Sequence, residues 1–422
     1  MTAVEPGAGT GYVRGGRVWS IGAASIVAAI LTWALQAIAG RALGPVGYAS
    51  FMVVWGFVFF EIGLLLGVQQ EVTRAVANAT HTSARKVVPG TRPLTLGLVI
   101  GGAGGGVLLV TSPLWANRLF GDQWPGVTLA LTCTFVVYAV YNAANGGLAG
   151  RSQWHDYAIS ITSEGLLRFV LVGAALVLAG GLPWQTWGLA GAGLTWLVLA
   201  GRSAFRQALT EPTAGGLPDL TRGAMNSMMA TGCSALVISG FPVLLRVTAD
   251  GPLAAEGGVV LAAIIATRAP LLLPLNAFSA VLLTRFVTEQ HRIIALLLRL
   301  SVTVLAITAL GASLAVVIGP WTLRLLYGAA FDVGGLMLAL LVTAAGLLTV
   351  QTMSGMAVLA TGAQAWYAAG WVLATVASVL LLALPMGVEE RATLALLVGP
   401  VVGLLVNAVV LDRQQRKASQ AS

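Results

Sequence analysis

The chain has 422 residues, of which 57% are hydrophobic and only 9% are charged. Soluble domains carry roughly 25% charged residues, so this composition excludes a protein that covers itself with a water-exposed charged surface. The formal net charge of +8 could suggest a nucleic-acid partner. A positive-inside bias of membrane loops explains it instead, so we expect no nucleic-acid binding.

Twelve apolar runs along the chain are long enough to cross a bilayer, which takes about 20 residues in a helix. They lie at 18–39, 48–68, 94–115, 125–146, 157–179, 187–203, 225–247, 257–283, 293–317, 335–360, 364–385 and 392–411. Only helices satisfy their own backbone polar groups in lipid over such lengths. The sequence therefore predicts an all-α integral membrane protein of about twelve transmembrane helices.

The basic residues give the orientation of these spans. With the N-terminus inside, 15 of the 23 lysines and arginines fall on the inner side, five on the outer side and three within spans. This bias predicts that both termini lie inside, in the cytoplasmic membrane of a bacterium. The expected division is a cytoplasmic segment 1–17, a six-helix lobe 18–207, a linker 208–224, a second six-helix lobe 225–411 and a cytoplasmic tail 412–422.

The loops between the spans exclude several activities. The longest lie around 73–93 and 204–224, too short for a folded ATPase or glycosyltransferase domain. Neither Lys86 nor Lys417 follows a glycine, as a phosphate-binding Walker loop requires. The three histidines lie in predicted loops without metal-ligand spacing, and the two cysteines lie in apolar runs. We expect no cofactor, no metal site and no enzymatic activity.

The informative residues are the ionisable ones at membrane depth, because a charge at the centre of a span costs roughly 2.5–3.5 kcal/mol on insertion scales. Glu164 and Arg168 are four residues apart in the fifth span, which places them on one helix face with the acid on the favourable N-terminal side. The pair either lines a cavity, with Arg168 available to an anionic headgroup, or only neutralises itself.

Three more charged residues fall within spans. Arg268 has no acid within four residues, and Pro270 and Pro274 follow it, so we expect a kink beside a cavity arginine or else a structural partner elsewhere. Arg299 is close enough to the inner end of its span to reach the headgroups. Glu61 lies deeper, and either pairs with an arginine or serves as a proton site.

Two further patterns concern packing. The run GGAGGG at 101–106 contains two small-xxx-small patterns, Gly101/Gly105 and Gly102/Gly106, which predict close helix contact. Four aromatic residues in spans are either cavity-lining or in contact with lipid: Trp33, Trp55, Tyr138 and Tyr141.

Several segments resemble the polysaccharide flippases of the multidrug/oligosaccharidyl-lipid/polysaccharide (MOP) exporter superfamily. RALGPVGYASF at 41–51 is similar to the Leu-Gly-Pro element between that family's first two spans. Similar segments are EIGLLLGVQQEVTRAVA at 61–77, GGLAGRSQWHDYA at 146–158, TRAPLLL at 267–273 and GPWTLRLLYGAAF at 319–331. The resemblance implies two six-helix lobes around a central V-shaped cavity.

The same resemblance implies the cargo and the partners. It implies alternating access for an isoprenoid-diphosphate-linked glycan in the lipid bilayer, with coupling to H⁺ or Na⁺ and contact with polysaccharide polymerase or export proteins as open possibilities. Arginine suits a lipid diphosphate because it is permanently charged and multidentate. The expected cavity residues are Arg268 and Arg168, with Glu164 and Glu61 as tuning or proton-coupling groups.

Other classes fit the sequence less well. Drug exporters of the same superfamily use carboxylates in the first or seventh span, and here neither predicted span has an acidic residue. A major-facilitator transporter needs an acidic loop motif, yet no acid occurs from 72 to 121. A membrane glycosyltransferase or polymer ligase needs a catalytic group on a substantial outer loop, and the outer acids form no recognisable constellation.

Overall fold

The computed structural model describes residues 15–81, 90–178 and 180–421, and nearly all of this length is helical. Most of the predicted segment 1–17, and Lys86 in the predicted inner loop, lie outside the described residues. The helices are α1 (Gly15–His81), α2 (Pro93–Phe120), α3 (Trp124–Gly150), α4 (Trp154–Val177), α5 (Leu182–Gly193), α6 (Thr195–Leu199), α7 (Ser203–Thr210), α8 (Leu217–Ile238), α9 (Phe241–Val247), α10 (Ala255–Thr288), α11 (Ile293–Tyr327), α12 (Gly335–Ala360), α13 (Gln364–Leu382) and α14 (Val388–Ala421).

The first two predicted spans form the two halves of α1, which breaks at Gly44. This glycine has a φ of 63° and a ψ of 177°, a conformation that side chains with a Cβ rarely adopt. Pro45 follows and has no N–H to continue the helical hydrogen bonds. The Gly-Pro pair therefore separates the two spans, as the sequence predicts.

The remaining helices match the predicted spans in order. Among the described residues, eight stretches are long and apolar enough to cross a membrane, or nine if α8 and α9 form one span bent by 72°. Two of the eight, Ile26–Ala79 and Pro93–Gly150, contain two crossings each, separated at Gly44 and Gly121. With α5 and α6 as the sixth crossing, the prediction of about twelve membrane helices in an all-α fold is confirmed.

Three details differ from the predicted boundaries. The sixth span is not one helix, because a turn at Leu194 separates α5 from α6. The region 204–224 is not all loop, since α7 lies within it and α8 begins at Leu217. The tail beyond residue 411 continues α14 to Ala421, because its polar residues are good helix formers.

One of the two predicted small-residue patterns packs as expected. A Cβ on Gly101 or Gly105 would meet α3 at 3.0 Å and 3.1 Å respectively, at Val136 in both cases. Gly102 and Gly106 have nothing within 4 Å, so the second pattern makes no helix contact. The absence of side chains at Gly101 and Gly105 lets α2 and α3 approach closely.

Among the described residues, the largest apolar cluster joins α1–α5 to α9–α14 towards the outer ends of the helices. We call this the outer core. Its members come from both halves and include Leu35, Tyr48, Phe51, Trp55, Phe120, Leu131, Leu176, Phe241, Val260, Tyr327, Leu341 and Leu396. By the predicted orientation, each of these residues lies in the outer part of its span.

Towards the inner ends, the buried apolar residues form separate clusters. One contains first-half residues such as Leu65, Leu96 and Tyr138, together with Leu220 and Ala224 of α8. Another lies entirely in the second half and comprises Phe286, Ile293, Ala357, Val358, Val410 and Leu411. Within the described residues, no inner cluster joins α1–α7 to α10–α14. Apart from α8, which packs along α1 at Gly63, Leu64 and Gly67, the second half therefore meets the first at the outer side and separates from it towards the inner side.

Candidate functional site

Glu164 and Arg168 form a buried ion pair on α4. Arg168 Nη2 donates to Glu164 Oε2 at 2.7 Å, and each residue is only 6% exposed. The i, i+4 spacing on a helix produces this contact directly. Because the pair is buried, neither charge has water to replace its partner, and removing one residue would leave the other charge uncompensated.

Two aromatic residues from other helices complete this group. Tyr138 of α3 donates its hydroxyl to Glu164 Oε1 at 2.5 Å. Phe59 of α1 lies against Arg168, with the guanidinium carbon 4.9 Å from the ring centroid. Arg168 Nε has no hydrogen-bond partner among the described residues. Glu164 thus accepts hydrogen bonds from both Tyr138 and Arg168, while Arg168 keeps one N–H donor without a partner among the described residues.

Arg268 of α10 binds the break between α8 and α9. Its Nη1 donates to the Ile238 carbonyl at 3.0 Å, and its guanidinium carbon lies 5.5 Å from the Phe241 ring centroid. Ile238 ends α8, so the helix itself provides no donor for this carbonyl. Arg268 is 7% exposed and forms no ion pair within the described part of the chain.

The helix break that Arg268 contacts lies outside its own helix. α10 remains one helix through Pro270 and Pro274, whereas the break lies in the preceding span, where α8 and α9 meet at 72°. Proline in a membrane helix removes one hydrogen bond but need not end the helix, because neighbouring groups compensate. Arg268 contacts that break from the adjacent helix.

Glu61 of α1 is 1% exposed, and neither carboxylate oxygen has a hydrogen-bond partner among the described residues. The structure therefore does not bring it into an ion pair with Arg168 or Arg268. Arg299, by contrast, lies on the exposed face of α11 near its inner end, as expected for an arginine that reaches the headgroups.

The four charged residues expected at the cavity, Glu61, Glu164, Arg168 and Arg268, share one level in the fold. Glu61 follows Val58 of the outer core and precedes Leu65 of the inner cluster. Arg268 likewise follows Ile264 of the outer core and precedes Leu275 of an inner one. Arg168 lies one turn before Val172 of the outer core. The charges therefore lie where the packing of α10–α14 against the first half ends, while the contact of α8 with α1 continues inward from Glu61.

Two arginines at the outer side each bind the other half of the chain. Arg41 of α1 donates from Nε to the Leu326 carbonyl at 2.9 Å and from Nη2 to that of Leu325. Arg246 of α9 donates from Nη2 to the Arg118 carbonyl of α2, and from Nη1 to that of Gly251 at 2.8 Å. Carbonyls near a helix C-terminus carry partial negative charge, so a cation binds them favourably.

Close backbone contact at glycines accompanies these arginines. A Cβ on Gly258 of α10 would overlap the carbonyl oxygen of Pro45, and one on Gly40 would lie 2.5 Å from Tyr327 Cδ1. Tyr48 packs against both Tyr327 and Phe331, with ring centroids 5.6 Å apart in each case. We call the hydrogen bonds of Arg41 to the Leu325 and Leu326 carbonyls, and of Arg246 to the Arg118 carbonyl, the outer clasps.

The sequence does not identify several of these residues by function. The sequence shows only that Tyr138 is an aromatic residue in a span, and does not predict its hydrogen bond to Glu164. Arg41 and Arg246 are indistinguishable from other loop arginines. Their one available signal is position, since Arg41 lies just before the Gly44 break and Arg246 lies in the last turn of the short α9. In the described residues, no group of His, Cys, Asp and Glu could hold a metal ion.

Three curated proteins of similar length resemble this chain along nearly all of it. Rv1510 of Mycobacterium tuberculosis is 36% identical over 409 residues, which cover 96% of this chain and 94% of that protein. Rv3630 of the same species and Mb3654 of Mycobacterium bovis are each 34% identical with the same coverage. All three are described as uncharacterized proteins. No protein-family model matches the chain.

Solved structures resemble the fold at much lower identity. An inward-facing multidrug resistance MATE family transporter of the MOP superfamily gives a TM-score of 0.66 at 13% identity, covering 94% of this chain and 99% of that one. A MOP superfamily transporter from Pyrococcus furiosus, whose reversed pocket polarity is said to suggest a different function, gives 0.61 at 14%, covering 94% and 96%. At these identities the likeness is one of fold.

Proposed function

For this multi-pass membrane protein, which belongs to the same family as the mycobacterial proteins Rv1510 and Rv3630, we propose transport of a lipid-linked oligosaccharide by alternating access. The cargo is an isoprenoid-diphosphate-linked precursor that crosses the bacterial cytoplasmic membrane. The working units are the lobes 18–207 and 225–411, joined by the linker 208–224, and the protein moves its cargo without chemical change.

The observation that carries this proposal is the level of the buried charges. They lie where the apolar core shared by α1–α5 and α9–α14 ends, and in the proposed cycle this level is the apex of a cleft that opens inward beside the contact of α1 with α8. A cargo that enters from the inner leaflet would meet Arg168 in one half and Arg268 in the other. Two arginines, one from each half, suit a diphosphate, which offers several acceptor oxygens.

The contacts around Arg168 suggest how it exchanges partners. Tyr138 already donates to Glu164 and can hold that carboxylate when Arg168 turns to a phosphate. Arg268 makes one hydrogen bond to a carbonyl, and an arginine has five N–H donors in all. Exposed arginines at the inner ends of α8 and α10, Arg222 and Arg285, provide an attractive entrance for an anion.

Arg268→Gln is expected to reduce export at least tenfold while the protein still inserts in the membrane. Loss of a charge-assisted hydrogen bond costs about 1.5–3 kcal/mol, enough for such a change if the bond to cargo is lost. Export is measured by complementation in a strain that needs the protein, with expression checked in membranes. Arg299→Gln is the matched control, because Arg299 lies on the exposed face of α11. Normal export by Arg268→Gln would refute a cargo role for this arginine.

Glu61→Gln is expected to uncouple transport from a proton gradient. An ionised carboxylate without a partner is costly at this depth, whereas a protonated one is not, so Glu61 is suited to bind and release a proton. The measurement is transport in proteoliposomes with and without an imposed pH difference. Glu71→Gln is the control, since the Glu71 carboxylate bonds Arg74. A retained response to the gradient in Glu61→Gln would assign coupling elsewhere.

The cargo itself is tested in the lipid fraction of a deletion strain. Accumulation of lipid-linked oligosaccharide on the inner leaflet is expected, with relief on complementation. Drug export is the second candidate, since structural neighbours are described as multidrug resistance transporters. It would be favoured by altered drug sensitivity without accumulation. Against it, the predicted first and seventh spans contain no acid, and Asp219 of α8 lies in the first turn, before the predicted span.

A further inference from the structure

A groove at the inner end of α13 and α14 lies apart from the cargo path. It has a volume of about 660 Å³. Its walls are apolar, from Leu373 of α13 to Leu405 and Val409 of α14, and Arg413 and Arg416 lie at one end. These wall residues are 46%, 63% and 51% exposed, although the opposite face of α14 is buried against its neighbours. The groove therefore faces lipid.

The order of residues along both helices matches the depth profile of an inner leaflet. Arg413 lies eight residues beyond Leu405, which is about 12 Å along a helix. Trp366 lies at the start of α13, seven residues or about 10 Å from Leu373. Because both helices have their inner ends here, the tryptophan and the arginines lie at headgroup level while the apolar walls extend into the acyl region.

The positive charge at the end of the groove favours a lipid with an anionic headgroup. The segment 412–417, DRQQRK, has three basic residues and one acid. Three bases against one acid give the segment a net positive charge. The acid, Asp412, pairs with Arg416, with Oδ2 accepting from Nε at 2.9 Å. A second groove, about 330 Å³ between α10, α11 and α12, has no charged residue in its lining. The two grooves thus differ in the feature that recognises a headgroup.

We propose that the groove between α13 and α14 binds an anionic phospholipid of the inner leaflet, with its acyl chain along Leu373, Leu405 and Val409 and its phosphate at Arg413 and Arg416. This resident lipid is separate from the cargo and does not depend on which cargo the protein moves. Each arginine near an anionic headgroup contributes about fivefold in local binding.

Quenching by brominated lipids tests this site directly. Ala408→Cys, beside the groove, is labelled with bimane in a Cys133→Ser/Cys233→Ser background and reconstituted in nanodiscs of phosphatidylcholine and phosphatidylglycerol at 3:1. Bromine is carried by either one lipid or the other. Because a fivefold preference at this ratio fills about five-eighths of the sites, phosphatidylglycerol is expected to quench at least about twofold more than its one-quarter share of the bilayer, and Arg413→Gln/Arg416→Gln should abolish this excess.

Two controls make the result specific. Arg299→Gln, another exposed inner arginine, should leave the excess at Ala408→Cys unchanged. A label at Leu310→Cys, near the uncharged groove, should be quenched by each lipid in proportion to its share. Quenching at Ala408→Cys in proportion to lipid composition would overturn the proposal, as would an excess that survives loss of both arginines. The readout needs no transport, so it stands or fails independently of the proposed function.

Discussion

Replacing Arg168 with methionine is expected to lower the free energy of unfolding by about 3–5 kcal/mol, because Glu164 would remain as a buried charge without its cation. Tyr138 alone would then bond the carboxylate. Glu164→Gln should cost less, since Arg168 would keep the face of Phe59 and could still donate to the amide oxygen. Unfolding is followed by denaturant titration of the purified protein in detergent micelles.

The double variant Glu164→Gln/Arg168→Met separates structure from function. Removing both charges should return the stability to within about 1 kcal/mol of the wild type, since a buried pair contributes little net energy over neutral groups of similar size. Export should nevertheless fail, because the guanidinium that meets the diphosphate is gone. A stable double variant with normal export would show that the pair only neutralises itself.

Much of the fold could be predicted because membrane helices have a strong and local signal. Apolar length and the charge bias predict the spans and their orientation, and the Gly44-Pro45 pair indicates the break between the first two. The ion pair of Glu164 and Arg168 was equally accessible, since both residues lie on one helix at a spacing that fixes their contact. Each of these predictions depends on residues within a few turns of each other.

The partners of Arg268 could not be predicted, because they lie on other helices and far away in the sequence. Its acceptor, the Ile238 carbonyl, is 30 residues away and is available only because α8 ends there. The prolines of α10 point to the span of Arg268 itself, whereas the break that Arg268 contacts lies in the preceding span. Similarly, nothing in the sequence excludes a pair between Glu61 and an arginine, because pairing across helices depends on rotation of each helix about its axis.

The outer clasps bear on the proposed transport cycle. Each half provides an arginine that binds carbonyls near the C-terminus of a helix in the other half. Arg41 reaches from α1 to α11, and Arg246 reaches from α9 to α2. Both contacts have to break if the outer side opens, whereas the separate inner clusters need not be disturbed. The clasps should therefore set the balance between the two orientations without affecting the cargo site.

Removing both clasps is expected to shift the protein towards an outward-open state by about 100-fold. Arg246 is buried, so its hydrogen bonds contribute about 1.5–3 kcal/mol, and the exposed Arg41 adds about 1 kcal/mol. Spin labels report the shift as distance changes in Arg41→Gln/Arg246→Gln. The outer pair is Asp122→Cys and Asp250→Cys, and the inner pair is His155→Cys and His291→Cys, all at exposed positions. The outer distance should lengthen and the inner one shorten.

Arg324→Gln serves as the control, because this outer arginine faces Asp332 of its own half at 3.8 Å and does not cross to the other. Gly258→Val should act in the same direction as loss of the clasps by a different cause, since a side chain there would overlap the Pro45 carbonyl and push α10 away from α1. Gly102→Val, at a position with nothing within 4 Å, should leave the distances unchanged. If the outer distance stays short in both the clasp variant and Gly258→Val, the outer contacts do not govern access, and the opening must be controlled at the inner side.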